Sequence, residues 1–103
     1  MFSFLFGPGK NSIKSALRNG AIIIDVRTVH EYDQGRIKGS INIPTDRLAA
    51  SVERIRQFKK LVVFCGRNSA ESSAAVRFIK KNGMKEVYDG GNWERLLIII
   101  KNL

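Results

Sequence analysis

Two uninterrupted apolar runs, Ala21-Ile22-Ile23-Ile24 and Leu61-Val62-Val63-Phe64, constrain this chain more than any other feature. A strand with one wet face alternates polar and apolar residues, whereas a run rich in β-branched residues without alternation belongs to a strand covered on both faces. Helical spacing fills the sequence between and after these runs. Repeated strand-helix units of this length imply an α/β fold, a small parallel sheet of four to five strands with helices on both faces.

The remaining elements follow from caps and breakers. Asn11 or Ser12 is expected to cap a short helix with Ile13, Ala16 and Leu17 on one face, ended by Asn19-Gly20. Val29 to Gln34 reads as a brief helix closed by Gly35. Ser40 to Ile43 reads as a second strand stopped by Pro44, and Thr45 or Asp46 as the start of a helix carrying Leu48, Val52, Ile55 and Phe58. From Ser69 a helix runs through Ala74, Ala75, Phe78 and Ile79 to Asn82-Gly83. Glu86 to Tyr88 is expected to form a short strand, Asp89-Gly90-Gly91 a turn, and Asn92 the cap of a last helix on which Trp93, Leu96, Leu97 and Ile100 share a face. With 103 residues and 44% hydrophobic content, the chain is expected to form one domain over residues 1–103, with a core at about 12–96 and an apolar leading segment at 1–9.

Charge and cysteine count remove several function classes. Eighteen basic against nine acidic residues give a formal charge of +9, which concentrates small anions or acidic partners around the molecule. The basic residues are spread from Lys10 to Lys101 with no arginine-rich block or aromatic-interleaved stripe, so no nucleic-acid partner is expected. One cysteine excludes a C-x-x-C redox pair or a thiolate zinc cluster within the chain, and neither a metal nor an organic cofactor is implied. His30, the sole histidine, reads as a solvated residue at a helix start. Met1 to Phe6 lacks the basic flank of a secretory signal and is too short for a membrane span, which needs about 20 apolar residues. A cytoplasmic location is expected, with Phe2, Phe4 and Phe6 packing on the body or on a protein partner.

Cys65 carries what chemistry the sequence offers. It sits where the Leu61–Phe64 run meets the polar segment Gly66-Arg67-Asn68-Ser69, ahead of a helical pattern. A thiol that faces backbone amides and a helix N-terminus from a strand end is expected to have a lowered pKa and to act as a thiolate nucleophile.

The residues also resemble a known family. Asp25-Val26-Arg27, Glu31-Tyr32 and Gly35 through Pro44, followed by Val62-Val63-Phe64-Cys65, the helix from Glu71 and Val87 through Trp93, are similar in type and order to the signature of rhodanese-like domains. The resemblance spans roughly residues 12–96. It implies a sulfurtransferase whose cysteine, here Cys65, takes a sulfane sulfur from thiosulfate or a persulfide, holds it as a persulfide and passes it to a thiol or cyanide-like acceptor. A persulfide is an anion best stabilised by convergent N–H groups and a helix dipole. Gly66, Arg67, Asn68, Ser69 and Ala70 would supply these, with Gly66 and Asn68 tolerating the unusual dihedrals of a tight cradle.

The loop departs from the family pattern "CRSGxRS". Gly66 and Ala70 stand where arginines are usual, which leaves Arg67 as the loop's cation, expected to attract the anionic donor, with Glu71 working against it. Phosphatases of the same fold use a C-x-x-x-x-x-R loop, and here the closing position is Glu71, which would repel a phosphate dianion. The other class left open is a binding or regulatory module without turnover. Asp25 and Arg27 are expected to be structural, Arg27 pairing with Glu31; Asn42 and Pro44 to shape a loop; Trp93 to pack in the core.

Overall fold

The computed structural model describes residues 10–103. The segment Phe2 to Phe6, expected to pack on the body, lies outside the described residues.

Four strands form one sheet in the order β2-β1-β3-β4, every neighbouring pair parallel: β1 is Ile22–Asp25, β2 Ile41–Asn42, β3 Val62–Gly66 and β4 Val87–Asn92. The helices are α1 (Lys10–Arg18), α2 (Val29–Gln34), α3 (Val52–Gln57), α4 (Ser69–Lys81) and α5 (Trp93–Lys101). The α/β architecture expected from the two apolar runs is therefore present.

β3 is buried along its whole length and divides the core by alternation. Val62 and Phe64 face one layer, with Ile24, Val26, Ile43, Leu48, Ile55, Ala75, Val76 and Ile79. Val63 and Cys65 face the other, with Ile13 and Ala16 of α1, Ile37, and Leu96 of α5. The period-two alternation of strand side chains places the sulfur in this second layer.

Helix ends follow the expected chemistry in part. Thr28 caps α2 in a reciprocal box with Glu31, Asn68 caps α4 by accepting from the Glu71 amide, and Asn92 caps α5 by accepting from the Arg95 amide. Gly20 (φ +81°) and Gly83 (φ +90°) end α1 and α4 in the left-handed conformation that glycine adopts without a Cβ penalty.

Four expectations are corrected. α1 starts at Lys10, so neither Asn11 nor Ser12 is its cap. The single helix expected from Thr45 is two 3₁₀ turns, Thr45–Arg47 and Ala49–Ser51, before α3, because Thr45 first bonds back to the carbonyl of Val26. The second strand is two residues long rather than four. Asp89-Gly90-Gly91 is not a turn but part of β4, where the register slips so that Cys65 pairs with Gly91. At Gly90 a Cβ would lie 2.8 Å from Val63 Cγ1 and 2.9 Å from the Phe64 carbonyl oxygen, so the bulge brings backbone against β3 where no side chain fits.

Candidate active site

In a parallel sheet the strands all end on the same edge, and that edge is where ligands of open α/β folds bind. Here Asp25, Asn42, Gly66 and Asn92 end the four strands, with the loop 66–71 rising above them. Three depressions surround that loop. One of about 450 Å³ is lined by Arg27, Glu31, Arg67 and Trp93 among others; one of about 400 Å³ includes Glu71 and Thr45; one of about 340 Å³ includes Asn68, Ser69 and Gly91. A larger cavity, about 570 Å³, lies at the opposite edge among Leu61, Met84, Lys59 and Lys60 and contains no nucleophile.

Beneath the loop is a buried ion pair. Asp25 and Arg27 are almost fully enclosed, with Arg27 Nη2 2.7 Å from Asp25 Oδ2 and Nε within 3.0 Å of both carboxylate oxygens. The same guanidinium donates to the carbonyls of Glu31 and Gly35 and lies 4.1 Å over the Trp93 ring. A buried pair is tolerable only when its remaining donors are also satisfied, and these contacts supply that. Arg27, expected to pair with Glu31, instead has Asp25 as its charge partner, and of Glu31 only the carbonyl accepts from it. Asn42 Nδ2 bridges the Asp25 and Arg27 carbonyls, fixing the β1 end.

The Glu31 carboxylate is turned away from Arg27 and toward the loop after β3. Arg67 Nε donates to Glu31 Oε2 at 2.7 Å and Nη2 to Oε1 at 2.8 Å. Arg67, Thr28 and its capping amide together hold the Glu31 carboxyl down at about 2. The capping-box spacing Thr28-x-x-Glu31 fixes where that carboxylate stands, but nothing in the sequence shows that a residue 36 positions away reaches it.

The loop itself differs from the expected cradle in two respects. Neither Gly66 nor Asn68 has a positive φ; Asn68 is extended, as an N-cap should be. Gly66 is small for another reason: the Glu71 side chain folds back over it, with Oε1 2.7 Å from where a Cβ would be, and accepts the Arg67 amide proton at 2.7 Å. The amides of Asn68, Ser69 and Ala70 make no hydrogen bond among the described residues.

Cys65 is fully buried, and no hydrogen bond reaches its sulfur among the described residues. Burial first, then the Asp25 and Glu71 carboxylates, push its thiol well above the ordinary range, with Arg27 acting in the opposite direction. The lowered pKa expected from sequence is thus corrected: burial and two carboxylates outweigh the one cation, Arg27, and favour the neutral thiol.

The family model for the rhodanese-like domain matches residues 10–92.

The chain belongs to the rhodanese-like domain family.

Among curated relatives, this rhodanese-like chain is 38% identical over 69 residues to the uncharacterized protein YqhL of Bacillus subtilis (strain 168), covering 67% of this chain and 54% of that protein. It is 34% identical over 79 residues to the thiosulfate sulfurtransferase GlpE of Stutzerimonas stutzeri, covering 74% of this chain and 72% of the relative. In structure it is similar to the reduced Bacillus anthracis CoADR-RHD, with a TM-score of 0.64, 28% identity, and coverage of 90% of this chain and 16% of that one. The chain therefore spans about half of the first relative and a small part of that solved protein. Among the described residues no helix is long and apolar enough to cross a membrane.

Proposed function

We propose that this rhodanese-like domain transfers sulfane sulfur through a persulfide on Cys65. The observation that supports the reading most is the place of the lone cysteine, one residue before the carboxyl end of β3 and directly ahead of a segment in which the amides of Asn68, Ser69 and Ala70 have no partner among the described residues. The similarity to a thiosulfate sulfurtransferase agrees with it.

The chemistry runs in two halves. Because Cys65 is enclosed, the reaction requires that the donor gain access to the sulfur and that the thiol give up its proton before it attacks. The thiolate then attacks the outer sulfur of the donor; the donor's S–S bond breaks and sulfite, or a thiolate, departs with the bonding pair. The terminal persulfide sulfur is anionic, and the amides of Asn68, Ser69 and Ala70 are the loop donors still available to it. A thiol or cyanide-like acceptor next takes that sulfur, and the Cys65 thiolate is restored. Steady-state data are expected to be ping-pong.

A second reading, a binding or regulatory module without turnover, is favoured by one specific observation, the enclosure of Cys65 in the apolar layer with α1 and α5. Thiocyanate formation from cyanide with thiosulfate or cysteine persulfide as donor separates the two. Turnover that Cys65→Ser abolishes supports sulfur transfer; no turnover with either donor supports the binding module.

A further inference from the structure

The charges around the loop bear on which donors it accepts. An oxoanion donor such as thiosulfate brings two negative charges and needs a cation and free amides to receive them. The loop's cation is already engaged: both guanidinium contacts of Arg67 go to Glu31, at 2.7 and 2.8 Å. One of the loop's amides is engaged as well, since Arg67 N–H donates to Glu71 Oε1 at 2.7 Å.

Paired charges cancel at short range, Asp25 with Arg27 and Glu31 with Arg67. Glu71 is left over, for it forms no ion pair among the described residues. Of the five charged side chains Asp25, Arg27, Glu31, Arg67 and Glu71, the Glu71 carboxylate is thus left without a cation in a molecule of formal charge +9.

We infer that Glu71, lying across Gly66 and bonded to the Arg67 amide, is a specificity-determining residue that excludes dianionic sulfur donors and reserves the site for persulfides of low charge. The inference rests on the sulfur-transfer reading of Cys65. The carboxylate is an anion of the protein's own in the place an oxoanion would take, and a dianion must displace it and also compete with Glu31 for Arg67. A thiol-borne persulfide carries at most one charge at the sulfur it delivers and leaves as a thiolate, so it needs neither group.

The test compares Cys65 persulfide loading from thiosulfate and from cysteine persulfide in the full chain. Glu71→Gln keeps an oxygen to accept the Arg67 amide and removes the charge. It is expected to raise kcat/KM for thiosulfate by about tenfold or more while that for cysteine persulfide moves less than about threefold. Glu31→Gln, away from the loop backbone, frees the guanidinium and is expected to shift the ratio in the same direction, which covers the case of a Glu71 variant that does not fold. An unchanged donor ratio in both variants, with wild type loading from cysteine persulfide, overturns the inference and leaves the sulfur-transfer reading intact. Wild type that loads from neither donor overturns both.

Discussion

Glu31 and Arg67 meet in a two-point ion pair, Nε to Oε2 at 2.7 Å and Nη2 to Oε1 at 2.8 Å, which fastens the loop after β3 to the capped start of α2. Through this pair a helix distant in sequence fixes the segment that directly follows Cys65.

The pair gives the fold an acid dependence of defined sign. Glu31 has a folded-state pKa lowered from 4.5 to about 2, so its contribution is present above about 4.5 and is lost as pH falls toward 2. Urea unfolding of wild type and Glu31→Gln is expected to show a small difference at neutral pH that vanishes by about pH 2, small because the pair is solvent-exposed. It should also shrink in about 1 M salt. A difference that grows on acidification contradicts the assignment.

Cys65 imposes the opposite slope at high pH. Its folded-state pKa is raised above the ordinary 9.0, so the neutral thiol contributes stability that is full below pH 9 and is lost as pH rises beyond it, by at most about 1.4 kcal/mol per pH unit. Cys65→Ala is expected to flatten that alkaline fall in denaturant midpoint. By the same cause, alkylation of the native protein by iodoacetamide near pH 7 should be far slower than that of the urea-unfolded chain.

The buried pair beneath the loop is costly to break from one side. Arg27→Met leaves Asp25 charged without a partner, and strands the Glu31 and Gly35 carbonyls that it serves. A loss of about 3–5 kcal/mol in unfolding free energy is expected, with part of it restored when Asp25→Asn is added.

The β4 bulge gives a steric prediction. Gly90→Ala puts a methyl 2.8 Å from Val63 Cγ1 and 3.0 Å from Leu96 Cδ2, inside a packed core, and is expected to cost about 1–3 kcal/mol. Thermal unfolding of the variant checks it, and an unchanged midpoint would show that β4 does not press on β3 as described.

The parts of this architecture that were legible in the sequence are those written in local periodicity. The apolar runs announced the central strands, and Thr28, Asn82-Gly83 and Asn92 stand at the ends of their helices. Long-range geometry was not legible. Whether Asp89 lies in a turn or a strand depends on the acceptors it offers, and in the fold it receives Ser72 and Ser73 hydroxyls and the Gly91 amide. The choice of Arg27 between Asp25 and Glu31, and of Glu31 between Arg27 and Arg67, is decided by burial: Arg27 is enclosed beside an enclosed carboxylate, while Arg67 is exposed. The state of the thiol is not legible for the same reason, since its apolar neighbours come from α1 and α5, remote in sequence.

The decisive experiment for sulfur transfer through Cys65 is intact-protein mass after exposure to thiosulfate and, separately, to cysteine persulfide. A gain of one sulfur atom is expected, larger in extent from the persulfide, that cyanide removes and that Cys65→Ser lacks. A wild-type mass unchanged by both donors, or a gain that survives in Cys65→Ser, would contradict it.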